Sequence, residues 1–481
     1  MNGAFSLRAP QLADDLFALT RSLPLVCPHG HVPVELLADS RDGVEWTDPA
    51  ALFVTGDHYV LRMLYSLGVS PEALGMVGGD GGPVGPLAAP REVWRTFCTY
   101  RDAFAGTPTG YWVRRTLQSV FGLAGWPTPD RADETFDLLD ERLRATSPLQ
   151  LLREQRVQVI ATTDEAAADL GPHRSLGSAG RAPIVLPTFR PDAVSDLSSP
   201  TWVQAVRELG AVCDRDITDL DGLLDALWER RTAFRRAGAT ASDHGMSVPA
   251  TGRLTPHQAR TLVERRLRGH VDVADAVRFS GHMLMEMAAM AAADGLVMQL
   301  HAGVHRDHHH RFVRRYGPAT GSDIPVAVDF TSGLAPLLDE FGAKPSFRLV
   351  LFTLDESTYS RELAPLAGHY PAVRLGPPWW FLDSARAIRR YLDAVVETAG
   401  VANLAGFNDD TRNVATVAAR HELWRSSVAA WTADAVADGL VEVGQAERLV
   451  TALAYGLAVD TYRLQEQVDG TAHTHKDDDG R

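Results

Sequence analysis

Residues 24–31 read PLVCPHGH, a short apolar run that closes on proline and then sets two histidines one residue apart. A run with no polar alternation suits a strand buried on both faces, and such strands belong to parallel sheets covered by helices. The chain repeats the pattern. Seven further apolar runs, at 157–161, 184–187, 239–242, 296–300, 348–353, 373–375 and 403–407, each stop at polar or charged residues and lead into a helix-like segment. This alternation predicts βα units, and eight of them predict an α/β fold of the TIM (β/α)8 type, in which the C-terminal strand ends converge on the active site.

The interval between the first two runs is about 130 residues, far more than a βα connection needs. Helical periodicity over 52–67, 91–105 and 131–151, with a Gly- and Pro-rich loop at 75–90, predicts a helical subdomain inserted at about 35–155 between the first and second strands. Residues 1–467 then form one domain that includes the insertion, and the polar stretch 468–481 is expected to be a disordered tail.

Composition narrows the function. Among 481 residues, 45% are hydrophobic and 22% charged, enough apolar material for a large core, which excludes a fibrous or disordered chain. Lys and Arg number 47 against 61 Asp and Glu, a net charge of −14 that opposes binding to a phosphate backbone, so no nucleic-acid partner is expected. Cys27, Cys98 and Cys213 are far apart with no CxxC, so neither a disulfide framework nor a cysteine zinc cluster is expected, and a reducing cytoplasm fits. No signal peptide is visible. The most membrane-like stretch, 283–293, is too short to span and contains Glu286, so no membrane partner is expected. A small-molecule substrate remains, and a homo-oligomer is compatible with the sequence.

The strand ends supply the chemistry. Alternation along an extended segment puts His29 and His31 on one side, where both imidazoles face the barrel mouth. The spacing alone carries little weight, since His473-Thr474-His475 repeats it in a polar tail with no converging partners and is assigned no site. Asp410, after the eighth run, adds weight, because barrel closure brings it beside the first strand. Two imidazoles and a carboxylate suit a divalent cation, zinc first, with manganese or iron as alternatives. His301, after the fifth run, is a further ligand, a ring held beside the ligands or a structural core histidine, while 308–310 read as solvated loop. Asp409 is the competing carboxylate, with helix capping as its alternative role. Arg190 in PTFRPD and Arg412 in NDDTR match an acidic substrate, and the competing account of each is an internal ion pair with Asp192 or Asp409. His58 and Tyr59 either reach the mouth as polar or proton-transferring groups or belong to an ordinary amphipathic helix. Trp379 and Trp380 read first as core packing, with one of them walling the substrate pocket as the alternative. Asp243-His244 reads as a pair that orients a ring, and Arg420-His421-Glu422 as a structural charge network.

The strings CPHGH, GDHYVLR, TTDE, LPTFRPD, SDHG, QLHAGVHR with GPATGSDI, PPWWF, GFNDDTR and ARHELWR, in this order over nearly the whole chain, resemble the uronate (glucuronate) isomerases of the amidohydrolase superfamily. The resemblance implies a distorted (β/α)8 barrel with a helical insertion, and interconversion of D-glucuronate with D-fructuronate or of D-galacturonate with D-tagaturonate. It implies metal ligands His29, His31 and Asp410; for the proton transfer that such an isomerisation needs, Asp410 or Tyr59 is expected to exchange the carbon-bound proton, Arg412 to tune Asp410, and His58 to help Arg190 anchor the substrate. Substrate contacts are implied for Arg190, His58, Tyr59, His301, Arg306, Trp380 and Arg412. The chain departs from the pattern twice, with HRDHHHR where many members carry an asparagine-rich string and with PHGH in place of an aspartate-x-histidine form. Both departures bear on glucuronate versus galacturonate preference. The same barrel and ligands would also serve a metal-dependent hydrolase. A catalytically silent sugar-acid binder would require a missing ligand, and His29, His31 and Asp410 are all present.

Overall fold

The structure is a computed structural model that describes residues 8–38, 46–82, 85–177, 182–379 and 382–469. Its sheets are parallel, as double-sided burial of the apolar runs requires. β1 (Leu25–Cys27) pairs with β2 (Val157–Ala161), and β2 with β4 (Ile184–Leu186). A six-stranded sheet takes the order β11 (Val373–Leu375), β10 (Leu349–Phe352), β7 (Val297–Ala302), β6 (Ala241–Met246), β5 (Phe189–Arg190) and β3 (Asp164–Glu165). β2 and β3 lie two residues apart in the chain, as do β4 and β5. Thr162 N–H donates to Leu186 O (2.9 Å) and Asp164 N–H to Thr188 O (3.0 Å), so the ladder continues across both interruptions. The spatial order of strands therefore follows the chain.

Seven of the expected apolar runs carry strands. The eighth, 403–407, contributes one parallel bridge, Leu404 to Leu375, instead of a strand. Gly406 explains the difference: its φ is +80°, outside extended geometry, and a Cβ there would come within 2.5 Å of the Ala458 backbone. An antiparallel ribbon of β8 (Val304–His305) and β9 (Ile324–Pro325), absent from the sequence expectation, closes an excursion that carries the helix His310–Tyr316.

Between β1 and β2 every regular element among the described residues is helical. The longest are His58–Ser66, Pro90–Thr99, Pro108–Ser119 and Ala132–Ala145, with Pro148–Glu154 leading into β2. Proline in the first turn presets φ at three of these starts without sacrificing a needed N–H. These helices bury Phe53, Trp94, Phe97, Phe104, Leu117 and Leu139 in a core distinct from the larger one around β6, β7 and β10. Pro108–Ser119 lies outside the expected helices, although the Thr107 hydroxyl accepting Gly110 N–H (3.0 Å) with proline next in sequence is a start signal. No helix among the described residues is long and apolar enough to cross a membrane.

Candidate active site

The C-terminal ends of the strands surround a cavity with about 600 Å³ of space between its atoms. His29 and His31 enter it just after β1, and Asp410 from the loop after the Leu404 bridge. Asp410 Oδ1 lies 3.5 Å from His29 Nε2 and 3.2 Å from His31 Nε2. That oxygen is buried and makes no hydrogen bond among the described residues. Tetrahedral bonds of about 2.0–2.1 Å place neighbouring ligand atoms about 3.3–3.4 Å apart, so the three donors fit one small divalent cation. The loop is fixed to β1 by His31 N–H donating to Thr411 O (2.8 Å). Burial would raise the Asp410 pKa, but the imidazoles beside it hold it well below the usual carboxylate range. Burial pushes His31 down to about 4. In His29 burial acts the same way, yet Asp410 and the charge of Asp243 prevail and its pKa rises.

A second group fixes the histidine of β7. The β6–β7 register pairs Gly245 with His301 and Asp243 with Gln299, so Asp243 and His301 share a face. His301 Nδ1 lies 2.7 Å from Asp243 Oδ1. The His301 ring stacks on Phe352 (4.3 Å) and on His29 (4.7 Å), with Trp379 edge-on at 5.2 Å. His301 thus stands beside His29 with its orientation imposed by Asp243. The expected Asp243-His244 pairing does not form: successive strand residues face opposite ways, and His244 Nε2 instead contacts Ser242 Oγ (3.1 Å).

Arg190 forms the internal ion pair and also lines the cavity. Its Nε donates to Asp192 Oδ2 (2.8 Å) and one terminal nitrogen lies 3.1 Å from Asp243 Oδ2, yet the residue lines the cavity. Those carboxylates overcome burial and keep it firmly cationic. Arg412 also lines the cavity and, among the described residues, makes no hydrogen bond or ion pair. Its charge lowers the pKa of His31, His58 and Tyr59.

The helical insertion contributes His58 and Tyr59. The Asp57 carboxylate caps the helix His58–Ser66 by accepting Tyr59 N–H (2.8 Å) and Val60 N–H (3.3 Å), which sets both side chains at the cavity. Their rings stack at 4.2 Å. Burial lowers the His58 pKa to about 3, so the ring is neutral at pH 7, and burial raises Tyr59 against the opposing Arg420 cation, which sits 5.7 Å over its ring. Arg306 lines the outer wall beside Asp323 Oδ2 (3.4 Å). The excursion's Gly321 packs against the His58 carbonyl.

Trp380 lies outside the described residues, as do His473 and His475; the tryptophan in the cavity wall is Trp379. The sequence reading missed Asp243 as the partner of His301 and Asp323 as a wall residue. A register argument between the fourth and fifth runs would have found the first, whereas no local signal marks the second. Asp409 caps no following helix: its Oδ1 accepts Thr411 N–H (3.2 Å) and its Oδ2 contacts His421 Nε2 (3.1 Å). Arg420 and His421 meet at Asp409, Arg420 through the carbonyl (2.8 Å) and His421 through Oδ2 (3.1 Å), and Arg420 also pairs with Asp383, whereas Glu422 pairs separately with Arg115.

A family model described as glucuronate isomerase matches residues 1–462. A uronate isomerase of Nostoc punctiforme is 43% identical over 457 residues, covering 94% of this chain and 95% of the relative. The crystal structure of a glucuronate isomerase from Caulobacter crescentus superposes with a TM-score of 0.90 at 38% identity over 94% of each chain. That of a uronate isomerase from Thermotoga maritima gives 0.88 at 27% identity over 95% of this chain and 98% of the other. With the ligand-like histidines, the aspartate and the arginines converging on one cavity, these matches make the chain a member of the glucuronate (uronate) isomerase family and an isomerase of carbohydrate metabolism.

Proposed function

We propose that the enzyme interconverts D-glucuronate with D-fructuronate, or D-galacturonate with D-tagaturonate, in the cavity bounded by His29, His31, Asp410, Arg190 and Tyr59. The observation that carries this reading is the convergence of the three metal-type donors at 3.2–3.5 Å with two cavity-lining arginines. His29, His31 and Asp410 would hold a divalent cation, zinc first, and its charge would polarise the C1 carbonyl and the neighbouring C2 hydroxyl. Arg190, kept rigid by Asp192 and Asp243, anchors the uronate carboxylate together with the neutral His58. His301 contacts the sugar at the reacting end, with Trp379 as wall and Arg306 toward the opening.

Isomerisation breaks the C2–H bond, and its electron pair forms the C1–C2 double bond of an enediol while O1 takes up a proton. The O2 proton then leaves, C2 becomes the carbonyl, and C1 receives a proton. Asp410 and Tyr59 are the two candidates to hold the carbon-bound proton. Arg412 holds the electrostatic balance around them, since its charge favours the ionised form of Tyr59 and the neutral forms of His31 and His58. Proton NMR in deuterium oxide with each uronate is the direct test. Appearance of the 2-keto product with deuterium at C1 is expected, and absence of both with folded, metal-supplied protein would overturn the substrate assignment.

The same reading closes the strands into a distorted (β/α)8 barrel with the helical insertion at about 35–155 in a single domain of 1–467. The strand order following the chain, and the His31–Thr411 hydrogen bond between first and last strand ends, support it. The three free, buried cysteines fit a cytoplasmic setting. The proposed tail, 468–481, lies almost wholly outside the described residues.

A further inference from the structure

Three buried side chains below the cavity join the two chain segments that carry the metal-type donors. Asp409 is wholly buried; its Oδ2 lies 3.1 Å from His421 Nε2, its Oδ1 accepts Thr411 N–H (3.2 Å), and its carbonyl accepts an N–H from Arg420 (2.8 Å). The same His421 Nε2 lies 3.5 Å from Sγ of Cys27, the last residue of β1, two residues before His29. Phe407 packs against the His421 ring at right angles (4.9 Å) and stacks on Trp424 (5.0 Å), which fixes the imidazole from above. Between these anchors Asp410 has φ +45°, a conformation a non-glycine residue keeps only where its surroundings impose it.

We propose that Asp409, His421 and Cys27 form a buried latch that clamps the strand-1 end to the Asp410 loop and holds Asp410 in its left-handed conformation, which makes His421 a positioning residue for the metal ligands. The inference rests on the metal reading of His29, His31 and Asp410. The three latch atoms are also close enough to grip an ion of their own. Against that use, both Asp409 oxygens and its carbonyl are already engaged, and none of the three side chains lines the cavity. In a latch the imidazole acts on the metal only through the backbone of residue 410, as groups behind a ligand typically do.

The test compares wild type with His421→Leu, His421→Asn and Cys27→Ala, each stripped and reloaded. Zinc affinity is read by competition with a chromophoric chelator, site geometry by the visible spectrum of the cobalt(II) form, and turnover as kcat and KM. His421→Leu is expected to weaken zinc binding about 10–100-fold, alter the cobalt spectrum and lower kcat more than it raises KM. His421→Asn, whose amide can still donate to Asp409, is expected to recover part of each. Zinc affinity and cobalt spectrum unchanged in His421→Leu would overturn the latch. If that variant fails to fold, the same result in Cys27→Ala would do so. Two zinc ions per wild-type chain, falling to one in His421→Leu, would also overturn it in favour of a second site. A wild type that binds no metal removes the metal site and the latch together, whereas a zinc-binding wild type with unaffected variants removes the latch alone.

Discussion

At the residue scale, the arginines and the candidate bases separate binding from chemistry. Arg190 is held by Asp192 through Nε and by Asp243 through a terminal nitrogen, so its position is set before substrate arrives. A preset cation that meets the carboxylate equally in ground and transition states contributes uniform binding. Arg190→Met is therefore expected to raise KM about 10-fold or more with a smaller change in kcat, as steady-state kinetics would show. A fall in kcat of orders of magnitude at constant KM would place Arg190 with the transition-state groups instead. Asp410→Asn and Tyr59→Phe should mainly lower kcat. Solvent-isotope exchange decides between them, because the variant that loses exchange at the carbon-bound proton has lost the base. Tyr59 starts at a disadvantage, since burial holds its phenol protonated, and only Arg420 and Arg412 work the other way.

At the scale of elements, the β8–β9 excursion and the helix His58–Ser66 meet without spare room. Gly321 has φ +88°, and a Cβ there would come 2.6 Å from the His58 carbonyl and 2.9 Å from Arg62 Cβ. Gly321→Ala is thus expected to lever the excursion off the helix, lowering kcat/KM while leaving zinc content unchanged, because no ligand lies on either element. Unaltered kinetics would show that the excursion does not set the position of His58. This contact also marks where sequence reading stops. Seven strands were legible because their runs are short, mostly apolar and bounded by polar residues, even where Gln158, Gln299 and Arg374 fall inside them. The eighth run was equally apolar, but Gly406 and the Ala458 backbone decide its geometry from outside the run. The ribbon joins residues 19 and 21 positions apart across the excursion, with no local turn to announce it. His29, His31 and Asp410 were legible because each ends or follows an apolar run. Asp243 was misassigned to its chain neighbour because its real partner, His301, is set by strand register.

At the scale of the whole molecule, the donors come from opposite ends of the strand order: His29 and His31 follow the first strand, and Asp410 follows the last strand position. Among the described residues, the His31–Thr411 hydrogen bond and the proposed Asp409 latch link these ends. An ion bound by all three donors would clasp the seam and would be bound only by the folded chain, where the ends meet. Binding to the native state alone stabilises by RT ln(1 + [L]/Kd), about 2.7 kcal/mol at a metal concentration 100 times Kd. For a chain of this length that corresponds to a Tm shift of about 3 °C. Calorimetry with and without a chelator should therefore show wild type losing about that much on metal removal, while His31→Ala, which lacks one donor, should respond far less. His473→Ala, whose histidine belongs to the HxH pair in the tail, should behave as wild type and retain the same metal content by elemental analysis. An equal chelator response in wild type and His31→Ala would place the stabilising ion elsewhere and dissolve the seam clasp, whatever the kinetics of the arginine variants.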